Sequence, residues 1–368
     1  MSVRLALWAG IAWRKGWSAG ILVAGRRVFL FRAPGYLLLH SEMHQNVRPT
    51  DCQTGIFHKR CAAMSPKAIL AGGSGLLGRA LARKLIELGW EVVILTRTPQ
   101  EIDTTGREVL WNGETGGAWT TELEGATALV NFAGRSINCV FSLDNCREIL
   151  ASRVNAVRAL GKAVAKCKKP PAVWVQCSAT GFYGTHGLGL CDEETLGGHG
   201  FLAEVCVQWE QAFNALELPA TRRAVLRLGV VLDLRGGAYP QLAWLTKRFL
   251  GGAAGSGQQG IPWVHRRDAV AVFLEAIQRP EMTGPFNVCA PDPVTNADFM
   301  RALRHSLIRP WVPRAPAFVV SWIAREWMKI DPQLVLGGRS CTPGRLLEHG
   351  FSFEFPELAP ALSDLAKW

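Results

Sequence analysis

The sequence predicts an α/β fold: a doubly wound parallel sheet with a smaller C-terminal α/β substrate lobe. Three observations predict it. A short apolar run, Ala68 to Ala71, opens into a glycine-rich turn, Gly72 to Gly78, and then into an amphipathic run. Strand-like and helix-like segments alternate from there to Val231, the pattern of parallel strands joined by crossover helices. Composition agrees, since 48% hydrophobic with 19% charged residues over 368 positions excludes a disordered chain.

Before that fold begins, residues 1–65 read as a basic extension, set apart as disordered or untranslated. They carry nine Lys/Arg against Glu42 and Asp51, a net +7 that leaves only +4 of the total +11 for the remaining residues. A basic tail is not a basic groove, so no nucleic-acid partner is expected. The uncharged stretch from Gly16 to Gly25 falls far short of the ~20 residues that span a bilayer, so no membrane partner is expected either. An Arg-rich, acid-poor start has the composition of a transit peptide, but Met64 directly before the first clear strand offers a simpler start. Ten dispersed cysteines form no C-x-x-C pair or zinc-finger spacing, which points to a reducing, cytoplasmic setting and no structural metal.

The first unit is a β-α-β. Strand Ala68–Ala71 leads to Gly72, Gly73, Ser74, Gly75, Leu76, Leu77 and Gly78; a helix follows, capped by Gly89, and Glu91 to Thr96 forms the next strand. Gly72 permits the tight turn, Gly75 lets backbone approach a pyrophosphate, and Gly78 lets the helix pack against the sheet. The helix N-terminus offers free N–H groups to phosphate oxygens. A ligand-free glycine turn is the blander reading, but a glycine triplet in this context is specific. An NAD site places an acid at the end of the second strand for the ribose 2′-hydroxyl. Here Thr96 and Arg97 stand instead, with no acid between Val92 and Gln100. Arg97 suits a 2′-phosphate, so NADP(H) is favoured over NAD(H).

The alternation continues. Ala126 to Phe132 is a strand ending in Asn131-Phe132-Ala133-Gly134, whose small residues suit a dinucleotide crevice. Asn145 to Lys166 is a long helix with Glu148 and Arg153. Ala172 to Cys177 is a strand followed by Ser178 to Gly184, and a helix near Phe201 to Leu216 precedes the strand Arg223 to Val231.

These segments, with Pro262-Trp263-Val264-His265-Arg266-Arg267-Asp268 and Gly284-Pro285-Phe286-Asn287-Val288, resemble the extended short-chain dehydrogenase/reductase superfamily. More narrowly, they resemble its atypical branch, the "epimerase family" of NAD-dependent epimerase/dehydratase-like proteins. The tail from Pro313 to Leu362 resembles the C-terminal domain of unknown function found in that branch. The resemblance implies a Rossmann domain over 66–312 with interleaved substrate-lobe segments, a C-terminal lobe over 313–368, and NADP(H) binding. It also places Phe132, Ala133, Gly134, Glu148, Arg153 and Val231 beside the cofactor.

Typical members carry a Y-x-x-x-K helix, in which lysine lowers the tyrosine's pKa for proton exchange with a substrate hydroxyl. Here the corresponding helix reads Phe201 to Glu210, which puts Leu202 at the tyrosine and Cys206 at the lysine. Ser178 stands where the superfamily's serine would be, and Tyr183 lies at the mouth of the same crevice as a replacement acid or a pocket wall. These two are the catalytic candidates, with Cys206 a weaker one and His265 weaker still. His265 is expected to line the pocket, and Asp268 to cap a helix. Arg235, Lys247 and Arg248 suit an anionic substrate such as a nucleotide sugar, or form a solvated face. The Trp-rich run Ala315 to Met328 is expected to pack on the domain or on a second subunit, as in a homodimer. The expected function is an NADP(H)-binding oxidoreductase or epimerase-like enzyme acting on a small polar metabolite. The alternative is a non-catalytic NADP(H)-binding sensor or assembly factor.

Overall fold

The computed structural model describes residues 19–24, 27–32, 65–100, 106–185 and 189–367. The chain divides into two compact units, 1–62 and 63–368. Within the first, β1 (Ala19–Ala24) pairs antiparallel with β2 (Arg27–Arg32). The expectations of a disordered or untranslated tail and of a start at Met64 otherwise lie outside the described residues.

The second unit is built on a seven-stranded sheet, all of whose pairings are parallel. Its strands are β3 (Lys67–Ala71), β4 (Glu91–Thr96), β5 (Arg107–Leu110), β6 (Ala128–Asn131), β7 (Val173–Ala179), β9 (Arg222–Leu228) and β13 (Gly284–Val288). Their order is β13-β9-β7-β6-β3-β4-β5. Short strands β8 (Leu190–Cys191), β11 (Gly260–Ile261) and β14 (Val294–Thr295) lie outside this sheet, and β11 pairs antiparallel with β14. The switch of direction between β3 and β6 opens a crevice at the strands' C-terminal ends, where doubly wound folds bind ligands.

Near-continuous apolar strands are what a sheet covered on both faces requires. Successive side chains go to opposite faces, so Ala68, Leu70, Val92, Ile94, Ala128 and Val130 enter one core. Ile69, Ala71, Val93, Leu95 and Leu129 enter the other. Helices α1 (Leu76–Glu87) and α5 (Arg266–Gln278) cover the first face through Leu81, Leu85, Val272 and Phe273. Helices α2 (Leu143–Val164) and α3 (Phe201–Asn214) cover the second through Val157, Leu160, Trp209 and Phe213. Truncating a fully buried leucine such as Leu81 costs about 2–5 kcal/mol. Gly89, at φ +81°, ends α1: its N–H reaches Ile86 O and that of Trp90 reaches Leu85 O, a glycine C-cap as expected.

A third core joins Leu232, Tyr239, Trp263, Phe299, Leu303, Leu358 and Leu362. The C-terminal segment thus shares its core with residues from the middle of the chain. Helix α4 (Ala238–Lys247), α6 (Asn296–Ser306) and, later in the chain, Leu358–Ala366 supply it. The Trp-rich run forms α7 (Ala317–Glu326), which buries only Ala324; Phe318 and Trp322 on it and Trp327 just after it are exposed. Of the two expectations for this run, a domain or a second subunit, the packing of these aromatics on the domain is corrected. Among the described residues no helix is long and apolar enough to cross a membrane.

Candidate cofactor crevice and active site

The crevice has a backbone end and a side-chain end. At the backbone end, Gly72 (φ +69°) turns the chain out of β3 so closely under β6 that a Cβ there would lie 2.8 Å from Ala133 N and Cα. Gly75 is exposed, and its Cβ would meet nothing nearer than Gly72 O at 3.8 Å. It is the N-cap of α1 and brings no side chain to the first amides, which leaves that end for an anion. Gly78 has a different role from the one expected. Its Cβ would sit 2.4 Å from Gly73 O, so it packs the helix against its own loop rather than the sheet.

Side chains fasten this loop. Thr96 is buried and donates from Oγ1 to Ser74 Oγ at 3.2 Å. Arg79 donates from Nε to Ser74 O at 2.8 Å and lies 3.5 Å from Glu108, whose side chain is buried on the edge strand β5. Arg97 is exposed at the end of β4, with no hydrogen bond or ion pair among the described residues. Leu76 and Leu77 are half-buried, and Gly236 of the following lobe approaches Leu76 Cδ2. Val231 lies outside the main sheet on β10 (Val230–Leu232), half-buried, and pairs with Val264 of β12 (Trp263–His265).

At the end of β6, buried Asn131 donates from Nδ2 to Gln176 and accepts from the Ala133 amide, each at 3.0 Å. This fixes the path of Phe132, Ala133 and Gly134, and Phe132 packs on Phe273 with ring centroids 4.9 Å apart. The expected pair on α2 separates. Glu148 is exposed and lies 3.1 Å from Arg135 Nε. Arg153 turns inward, donating to the carbonyls of Arg135 (3.1 Å) and Ile149 (2.9 Å), and its Cζ would be 3.1 Å from a Cβ at Gly134.

The side-chain end corrects the catalytic expectation. Ser178 and Tyr183 are fully buried, so neither is presented to the crevice. Ser178 Oγ donates to Glu210 Oε1 at 2.6 Å. Arg227 clamps the same carboxylate with Nε at 3.0 Å and Nη2 at 2.8 Å. Its Nη1 donates to the Tyr183 hydroxyl at 2.9 Å, which itself donates to Asn287 Oδ1 at 2.7 Å. The chain of contacts goes on through the Asn287 amide to Glu193, whose other oxygen accepts from the Arg345 amide.

Burial pushes the Tyr183 phenol well above its ordinary range, and the neighbouring Arg227 and Asn287 only partly offset this. The Arg227 guanidinium lies over the Phe182 ring. Its burial is outweighed by the hydrogen bond and charge of Glu210, which raise its pKa. A fully satisfied buried network of this kind fixes structure.

Cys206, at the usual lysine position, is likewise buried, and burial pushes its thiol up to about 11. His265 does not line a pocket. Its Nδ1 accepts from the Arg267 amide and caps α5, and its ring packs on Phe355 at 4.0 Å. The capping expected of Asp268 goes elsewhere: its carboxylate accepts from the Glu354 (2.7 Å) and Phe355 (3.0 Å) amides and clamps the C-terminal segment. Arg235 and Lys247 make no side-chain hydrogen bond among the described residues, and the Arg248 guanidinium stacks on Trp244.

The sequence did not single out Arg227, Asn287 and Glu193, and Glu210 entered only as an alignment mark. The available signal was Arg227, a charge that directly follows the apolar run Ala224–Leu226 within its strand.

Residues 68–200 match the NAD dependent epimerase/dehydratase family, and residues 315–365 match a domain of unknown function, DUF1731. The chain is 33% identical over 309 residues to the bovine epimerase family protein SDR39U1, covering 81% of this chain and 99% of that protein. The crystal structure of human SDR39U1 (isoform 2) with NADPH superposes with a TM-score of 0.73 at 29% identity, covering 82% and 99% of the two chains. A nucleoside-diphosphate sugar epimerase from Corynebacterium glutamicum does so at 0.66 and 29% identity, covering 82% of this chain and 58% of that one.

Proposed function

Because the chain belongs to the NAD-dependent epimerase/dehydratase family, in the branch of the SDR39U1 epimerase family proteins, we propose that it is an NADP(H)-dependent oxidoreductase or epimerase acting on a small polar metabolite. The observation that carries this is the pairing of an open, uncapped α1 N-terminus at Gly75 with an exposed Arg97 where an NAD site has an acid. The likeness to human SDR39U1 crystallised with NADPH supports it.

In this reading Gly72 to Gly78 and the first amides of α1 hold the pyrophosphate. Arg97 takes the 2′-phosphate, and Phe132 to Gly134 line the path toward the nicotinamide. The bound dinucleotide supplies hydride transfer. The chain's own residues orient it, and water in the crevice, rather than Tyr183, exchanges the proton.

One observation favours a second reading. With Ser178 and Tyr183 locked into the Glu210–Arg227 network and Leu202 and Cys206 replacing the usual pair, a cofactor-binding sensor without turnover uses the same geometry.

Calorimetric titration of the full chain with NADPH and then NADH tests the cofactor assignment. NADPH is expected to bind more tightly, and Arg97→Ala to weaken NADPH roughly 10- to 100-fold while sparing NADH. Equal affinities that Arg97→Ala leaves unchanged refute the 2′-phosphate assignment. Screening carbonyl substrates with NADPH then separates the enzyme from the sensor.

A further inference from the structure

Among the described residues, every exposed tryptophan and phenylalanine falls in two stretches, 244–249 and 311–327. The fold brings these stretches together. Arg304, on α6, donates from Nη1 to Gly251 O at 2.6 Å, and the Arg309 guanidinium lies 5.7 Å from the centre of the Phe249 ring. Further on, Ala315 N donates to Ala253 O and Gly255 N to Ala315 O, each at 2.8 Å, which seats the approach to α7 beside residues 253–255. Phe318 and Trp322 then stand one turn apart on one side of α7, and the Trp327 ring lies 6.2 Å from that of Trp322.

Two residues of this face are presented at a cost. Phe249 and Ile308 follow α4 and α6 at the position where a helix usually ends in glycine. The Leu250 and Phe249 amides donate to Leu245 O and Thr246 O, and those of Arg309 and Ile308 to Arg304 O and His305 O, the same capping pattern twice. It holds Phe249 at φ +63° and Ile308 at φ +53°. That left-handed conformation is unfavourable for a residue with a Cβ, and most of all for a β-branched one. Burial does not repay the strain: Ile308 is 87% exposed, and Trp311, three residues on, 77%. Strained backbone that turns apolar side chains into water marks a surface with a partner.

The partner's charge follows from the same face. Lys247, Arg248, Arg309, Arg314, Arg325 and Lys329 are all exposed there. Glu326, 3.8 Å from Lys329, is the one acid in 241–250 and 305–329. This net +5 exceeds the +4 of the whole chain beyond residue 65, and a second copy meeting it face to face would set +5 against +5. Tips that stand this clear of their neighbours also suit a fluid partner better than a protein, whose anchors fill matching pockets. Tryptophan set among Lys and Arg is the composition of a membrane–water boundary.

We propose that this face docks on an anionic lipid surface, the apolar tips entering the headgroup boundary and the bases meeting lipid phosphates. The expectation of no membrane partner rested on the lack of a spanning segment, which surface docking does not need. The docking is independent of the cofactor reading.

The test is flotation of the full chain with vesicles of phosphatidylcholine and phosphatidylglycerol in equal parts, and with phosphatidylcholine alone, with tryptophan emission read in parallel. Binding to the mixed vesicles is expected, with emission shifted to the blue, and added salt should weaken it. Phe249→Gly with Ile308→Gly removes two tips and relieves their strain. This variant should melt at or above the wild type, yet bind the mixed vesicles roughly 10- to 100-fold more weakly. Arg314→Gln with Arg325→Gln should weaken binding roughly 10-fold or more. NADPH affinity should be unchanged in both.

The proposal is overturned if the mixed vesicles do not bind, or if phosphatidylcholine alone binds as well. It is overturned too if either variant binds as the wild type does, which places lipid binding elsewhere in the chain, residues 1–65 included. A glycine variant that melts well below the wild type makes Phe249 and Ile308 structural and overturns it as well. A wild-type dimer that the glycine variant turns into a monomer in sedimentation equilibrium, with no vesicle binding by either, gives the face to a second copy instead.

Discussion

The two ends of the crevice are built from different materials. The glycine-loop end is mostly backbone: a turn at Gly72, an open N-cap at Gly75, and a few local side-chain ties such as Thr96 to Ser74. The far end is side chain, with Ser178, Tyr183, Glu210, Arg227 and Asn287 drawn from three strands, a helix and the 3₁₀ turn after β7 into one buried network. Backbone sites can be left open to solvent at little cost. A buried network must be satisfied in full, since each unpaired member carries a desolvation penalty. The comparison therefore predicts that mutations at the far end act mainly on stability and those at the loop end mainly on binding.

The largest expected effect tests the first half of that statement. Glu210→Ala strands Arg227, buried on both sides of its ion pair, and should cost about 3–5 kcal/mol in urea unfolding. Adding Arg227→Met should recover much of the loss, because replacing both partners by apolar groups is often close to neutral. A Glu210→Ala cost below about 1 kcal/mol, typical of exposed pairs, would show the network to be dispensable.

A second effect of similar kind belongs to the neighbouring lobe. Burial holds His265 at about 4, down from 6.5, with Asp364 partly opposing. The folded protein thus prefers the neutral imidazole. Its contribution is complete above pH 6.5 and declines as pH falls from 6.5 toward 4, by about 3 kcal/mol in all. Measured stability should show that slope, and His265→Asn should flatten it while keeping an acceptor for the Arg267 amide. An unchanged slope in the variant would move the titration to another group.

The same contrast explains what could be read before the structure. The parallel sheet, α1 and the glycine loop were legible because strand periodicity, a glycine triplet and a C-capping glycine are local signals. Edge strand β5 was hidden by Arg107 and Glu108, whose charges conceal a strand that only one neighbour supports. Arg227 and Asn287 were not legible as parts of one network, since their contacts join residues from 17 to 104 positions apart on different elements. Tyr183 was misplaced for the same reason. Its position after β7 suggested a crevice mouth, and only the tertiary fold shows its hydroxyl between Arg227 and Asn287.

A smaller change sharpens that last point. Tyr183→Phe removes one donor–acceptor group but leaves Arg227 its carboxylate, so the cost should be about 1–3 kcal/mol. NADPH affinity should be unchanged. Loss of turnover with unchanged stability would restore Tyr183 as a proton donor.

The smallest stability effect is expected at Gly75, and it is the most direct test of the loop end. Its φ of −75° suits any residue, and a Cβ would enter open space. Gly75→Ala should therefore change stability by no more than about 0.5 kcal/mol, as at an unremarkable surface position. The same methyl would stand where a pyrophosphate must approach backbone closely, so NADPH affinity should fall, roughly tenfold or more. Gly78→Ala is the contrasting control, because its Cβ collides with Gly73 and must disturb the loop itself. If Gly75→Ala binds NADPH as the wild type does, the open space at Gly75 is not the phosphate site, and the dinucleotide reading of the loop loses its geometric support.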